Sequence, residues 1–98
     1  MFARVSTYQG NTERLIEGFR HTTGPLTQFE GFERAYFLTD PAAGRAMTVT
    51  LWDSADAMAA SAEWASKARE HAAHESGGTV EAIGSYEVAL TAEKSALR

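Results

Sequence analysis

FERAYFLTDPAAGRAMTVTLWDS, residues 32–54, reads as two strands joined by a tight turn, with a helix start at the far end. Asp40-Pro41 opens the turn, because proline presets φ for the first central position, and Gly44 closes it where a positive φ is needed. Phe37 and Leu38 before the turn, and Met47, Val49, Leu51 and Trp52 after it, are the β-branched, aromatic and apolar residues that suit a buried pleated surface. These are central strands. Asp53 and Ser54 then offer side-chain oxygens to the first free amides of a helix. The unit is strand, turn, strand, helix.

Working back from this hairpin, Phe2 to Tyr8 alternates. Phe2, Arg4, Ser6 and Tyr8 fall on one face and Ala3, Val5 and Thr7 on the other, which is a first strand. Gly10-Asn11-Thr12 breaks it and supplies a helix cap, after which Leu15, Ile16 and Phe19 form one stripe while Glu13, Arg14, Glu17 and Arg20 point away. A first helix is expected from about Thr12 to Thr22. Thr23-Gly24-Pro25 interrupts it, since proline in a helix interior costs about 3 kcal/mol. Proline is tolerated in a first turn, so a short helical piece is expected over Leu26 to Phe29, with Gly31 ending it.

Working forward, Ser54 to about Glu75 is alanine-rich with high helix propensity throughout, and Gly77-Gly78 stops it. Its large apolar residues are few, Met58 and Trp64, so the face it turns to the sheet is mostly Ala62, Ala65, Ala68 and Ala72. Such a face either packs closely on the sheet or leaves a cavity. Val80 to Leu90 is a last strand, with Ala82, Gly84, Tyr86, Val88 and Leu90 opposed to Glu81, Ile83, Ser85, Glu87 and Ala89. The tail, Thr91 to Arg98, is polar and expected to fray.

Ninety-eight residues make one domain, 1–98, with its core over 2–90. A chain this short buries only roughly 60 to 65% of its unfolded surface. The composition, 44% hydrophobic and 22% charged, is that of an ordinary soluble globule. No apolar run approaches a bilayer span, and MFARVSTYQG lacks the apolar stretch of a signal peptide, so a cytoplasmic location is expected and a membrane partner is not. The absence of cysteine removes disulfides, thiolate metal sites and a cysteine nucleophile. A net charge of -4 argues against nucleic acid, whose binding rests on clustered Lys and Arg.

The order βαββαβ points to an α+β, ferredoxin-like arrangement: a four-stranded antiparallel sheet with two helices on one face. Strands two and three are apolar on both faces, unlike a sheet wet on one side. A second copy of the chain covering the open face, giving a homodimer, accounts for this.

A first strand FARVSTYQG, a helix ending near FEGF, GRAMTVTLWDS running into an alanine-rich helix, and a final SYEVAL strand together resemble the antibiotic biosynthesis monooxygenase family of dimeric α+β barrels. The likeness covers Phe2 to Leu90. It implies a homodimer with a cleft for a small apolar or aromatic molecule between sheet and helices. In the family's oxygenases of aromatic polyketides it implies no cofactor: the substrate forms a carbanion-like species that reacts with oxygen. Other members degrade haem, using an Asn on the first strand with a Trp and a His on the second helix. Trp64 and His74 reproduce that ten-residue spacing, but no Asn lies between Phe2 and Tyr8, which turns the resemblance away from haem. A barrel that binds a ligand without turning it over is the alternative from another class.

His71-x-x-His74 with Glu75 invites a metal reading, but two histidines are too few and no carboxylate cluster completes them, so no metal is expected. A solvated helix end, where His is electrostatically favoured, accounts for them. Ser76-Gly77-Gly78 is no nucleophile elbow, and there is no phosphate loop or dinucleotide fingerprint. At about 100° per residue, Met58, Ala62, Ala65 and Ala72 form the buried stripe of the second helix, and Asp56, Glu63, Lys67 and Glu70 the wet one, which His74 joins. His71 lies two turns beyond Trp64, roughly 10 Å along the same flank, which borders the buried stripe. His71, as a base of near-neutral pKa, and Trp64, as an aromatic wall, are therefore the candidate catalytic pair. Phe19, Tyr36, Met58 and Ala68 are the candidate ligand contacts.

Overall fold

The computed structural model describes residues 1–94. Its elements are β1 (Phe2–Gln9), α1 (Thr12–Arg20), α2 (Thr23–Leu26), β2 (Phe32–Asp40), β3 (Arg45–Trp52), α3 (Ala55–Ala60), α4 (Ala62–Ser76) and β4 (Thr79–Glu87). The strands form one antiparallel sheet in the order β2-β3-β1-β4, so the first strand of the chain lies inside the sheet. This is the ferredoxin-like α+β architecture expected from the element order, with the helices packed on one face.

The local signals act as read. Asn11 caps α1 by accepting from the Arg14 amide, and Ser54 caps α3 by accepting from the Ala57 amide. Pro41–Ala43 forms a single 3-10 turn, Asp40 accepts from the Ala43 amide, and Gly44 takes the left-handed conformation, φ 64°, that sends the chain into β3. Gly77 at φ 71° ends α4, and the Gly78 amide reaches back to the Ala73 carbonyl as in a Schellman motif.

Register sorts the side chains. Tyr36, Val49, Val5 and Gly84 are paired across all four strands, and the row beside them holds Leu38, Met47, Thr7 and Ala82. That face carries no helix, and Tyr36, Leu38 and Tyr86 stand exposed on it. The opposite face carries Arg4, Ser6, Tyr8, Thr48 and Trp52, all buried under the helices. The core divides in two. Tyr8, Leu15, Phe19, Ala46 and Ala72 form one cluster, and Leu26, Trp52 and Met58, with Phe2, Phe29 and Phe32 beside them, form the other.

Three expectations change. The short helix before Gly31 occupies Thr23–Leu26 instead of Leu26 to Phe29. Pro25 therefore sits in the first turn, where its missing N–H has no intrahelical partner to lose. The helix expected over Ser54 to Glu75 is two helices, broken at the fully buried Ser61. The Met58 carbonyl there accepts from the Ser61 hydroxyl at 2.8 Å and from Arg4 Nη2 at 2.6 Å, and the Ser61 amide closes a tighter turn onto it. Two competitors on one carbonyl end the regular ladder. The break also rotates the helix, leaving Ala62 exposed while Ala65 and Ala72 stay buried. Finally, the last strand ends at Glu87, short of the expected Leu90. Of the tail, 95–98 lie outside the described residues.

Candidate functional site

A cleft opens between the helix-bearing face of the sheet and α4, bordered by both core clusters. The sheet supplies its floor: Arg4, Ser6 and Tyr8 from β1, Phe37 from β2, Thr48 and Thr50 from β3. Strand alternation puts them there, since residues two apart share a face. Phe19, Thr22 and Leu26 close one side, and Trp64, Ala65, Ala68 and Arg69 form the roof.

The alanines explain why the cleft exists. At Ala72, α4 meets Gly18 of α1 and the two helices touch. One and two turns earlier, Ala68 and Ala65 line the cleft with side chains too short to fill it. The small-residue face thus leaves a cavity over the sheet, and its close packing is against helix α1 instead of the sheet. The cavity is small, about 50 Å³, well below the roughly 300–1,000 Å³ of a drug-sized ligand site. It is narrow. A planar ring suits it better than a globular ligand.

Its walls are aromatic. Phe19 stacks on Phe37 at 5.3 Å between centroids with the planes 10° apart, and Tyr8 leans on Phe19 at 4.9 Å. Trp64, half-buried, packs on Phe29 at 5.2 Å. Trp52, wholly buried, donates its indole N–H to the Thr50 hydroxyl at 3.0 Å.

Its polar groups are cations and hydroxyls. The Arg4 side chain is 8% exposed, donates to Ser61 Oγ at 3.0 Å and to the Met58 carbonyl, and lies 6.0 Å from the Trp52 ring. Burial pushes its guanidinium below the usual arginine range, and the Arg69 charge pushes the same way. Burial also raises the Tyr8 phenol above its ordinary value, opposed by hydrogen bonds to Thr48 and Ser6 and by Arg69. Among the described residues, no carboxylate and no imidazole line the cleft.

The candidate residues separate accordingly. Phe19, Trp64 and Ala68 line the cleft together. Met58 is buried in the core cluster of Trp52, and its backbone carbonyl, not its side chain, serves the cleft by holding Arg4. Tyr36 points the other way, on the open face, where Arg34 Nη1 donates to its hydroxyl at 3.0 Å. His71 shares a flank with Trp64, yet α1 crosses α4 between the cleft and His71, which instead borders an outer groove with Glu13, Glu17 and His21. It is exposed and 3.7 Å from Glu75. His74 is exposed as well. Sequence reasoning placed Arg4, Ser6 and Tyr8 on this face of β1 but missed Thr48 and Arg69 as cleft residues. Strand alternation could have found Thr48.

No protein-family model matches this chain, and no curated protein does. Solved structures do. SnoaB, a cofactor-independent oxygenase from Streptomyces nogalater, superposes with a TM-score of 0.76 at 15% identity, covering 95% of this chain and 97% of that one. This is the fold of the antibiotic biosynthesis monooxygenases. A protein from Deinococcus radiodurans assigned to that family gives a TM-score of 0.74 at 18% identity, over 97% of this chain and 99% of its own. MhuD, the haem-degrader of Mycobacterium tuberculosis, gives 0.70 at 21%, over 95% and 100%. The haem case does not carry over to the residues present, because His21, His71 and His74 all lie outside the cleft, which therefore has no imidazole to ligate an iron. No helix among the described residues is long and apolar enough to cross a membrane.

Proposed function

We propose that this chain binds a small aromatic, polyketide-like molecule in the cleft under α4 and acts on it as a cofactor-independent monooxygenase, working as a homodimer. The aromatic walls carry the reading: Phe19, stacked on Phe37, and the half-buried Trp64 border one narrow cleft, and walls of this kind favour a planar aromatic ligand that the side chains part to admit. Its overall agreement in fold with a cofactor-independent oxygenase supports the choice of reaction. In such a reaction the substrate supplies the reactive carbanion from its own acidic C–H, and the protein orients it and excludes water. For an anthrone, one O₂ is consumed, one oxygen atom stays as the new quinone carbonyl and the other leaves as water.

A second reading, ligand binding without turnover, is favoured by one observation. Among the described residues no carboxylate or imidazole lines the cleft, so none of these side chains accepts a proton readily at neutral pH. Oxygen uptake with anthrones and quinols decides between the two. Consumption of O₂ above the spontaneous rate, reduced by Trp64→Ala, supports oxygenation. Binding of the same compounds with no added oxygen uptake leaves the binding protein.

A further inference from the structure

The polar side of the same cleft sets what its ligand must carry. Arg4 is more than nine-tenths buried, and no carboxylate approaches it among the described residues. Arg69 lines the cleft beside it and repels it. Two guanidinium groups thus share one narrow space with no ion-pair partner among the described residues, in a chain whose net charge is -4. A buried cation is costly unless an anion or several good acceptors offset its lost hydration. Arg4 has two acceptors, the Ser61 hydroxyl and the Met58 carbonyl, for five N–H donors. Those two bonds fix the guanidinium from the α3 side, so it is a rigid partner that loses little entropy when a ligand arrives.

The hydroxyls of Ser6, Tyr8 and Thr48 line the same floor. They add donors suited to an anionic oxygen, and Tyr8, whose phenol stays protonated, is among them.

We propose that the ligand is an aromatic carboxylate, with its ring in the slot between Phe19 and Trp64 and its carboxylate held by Arg4 and Arg69. A planar carboxylate matches the guanidinium fork, and the pairing returns to each arginine the counterion that the fold withholds. This rests on the aromatic-ligand reading above and adds the charge to it.

The test uses a matched pair of probes, 9-anthracenecarboxylic acid and its neutral primary amide, titrated into the intact protein at neutral pH and followed by tryptophan fluorescence. The acid is expected to bind at least about tenfold tighter than the amide, the size of a charge-assisted hydrogen bond. Added salt should narrow the gap. Arg69→Gln, at a partly exposed position, should remove most of the acid's advantage over the amide, with thermal circular dichroism confirming that the variant is folded. Equal affinities for acid and amide would overturn the carboxylate assignment and leave the aromatic slot standing. An advantage for the acid that survives Arg69→Gln would place the anion elsewhere and overturn it as well. Failure of both probes to bind would remove the aromatic-ligand reading together with this one.

Discussion

Gly18 of α1 lies so close to Ala72 of α4 that a Cβ on the glycine would stand 3.1 Å from both the Cα and the Cβ of Ala72. Helix α1 has no freedom to back away, because Leu15 and Phe19 on either side of Gly18 are buried in the core. Gly18→Leu is therefore expected to destabilise the fold by about 1–3 kcal/mol, the usual range for overpacking. For a domain of this size that is a drop in Tm of several degrees, read by thermal circular dichroism. An unchanged Tm would mean the two helices are not held at this spacing.

The same crossing decides which histidine matters. Since α1 stands between His71 and the cleft, His71→Ala and His74→Ala should both leave the affinity for an aromatic ligand unchanged. Trp64→Ala should weaken it by about tenfold or more, as expected for loss of an aromatic stacking partner plus its buried area. Titrating one fluorescent aromatic probe into the three variants checks this. Loss of affinity in His71→Ala alone would show that the outer groove is the binding site.

Much of this was written in the sequence. The turn at Asp40-Pro41 and Gly44, the caps at Asn11 and Ser54, and the alternation of β1 follow from local chemistry, and the structure repeats them. The site was less legible for a physical reason. Helical periodicity reports which flank of a helix is buried, but not what lies opposite each turn of that flank. Trp64 and His71 are on one flank, one over the cleft and the other beside α1. The break at Ser61 was likewise invisible, because it depends on Arg4, 57 residues away, reaching the same turn.

The open face of the sheet makes a further expectation. Tyr36, Leu38 and Tyr86 are 44, 49 and 59% exposed on it, beside Val5, Met47 and Val49. Apolar surface of this kind favours association with a second copy. Light scattering should give twice the 10.6 kDa of the chain. Leu38→Glu, which alters an exposed position and should spare the fold, should give a monomer. A wild-type monomer at micromolar concentration would remove the dimer.

Alkaline pH offers a check on Tyr8. Its folded-state pKa is raised above the ordinary value of 10.0, chiefly by burial. Above pH 10 the unfolded chain releases this proton more readily than the folded one, so the folded state binds more protons and stability falls as pH rises. Below that pH the contribution is fully present. Urea unfolding at pH 9 and pH 11 should therefore show a larger loss for the wild type than for Tyr8→Phe. Equal losses would mean that the phenol ionises as freely in the fold as out of it.

Strand β1 pairs with β3 on one side and β4 on the other, and β4 begins only at Thr79. On the ribosome, then, β1 is made before both of its partners and waits longest for β4. Until the last strand emerges, Phe2–Gln9 presents an unpaired row of amides and carbonyls at a sheet edge, the surface most open to pairing with another chain. The aggregation hazard during synthesis therefore lasts until Thr79–Glu87 has emerged and paired. A stop codon in that stretch would leave a nearly complete helix layer lying over a sheet with one edge unfinished.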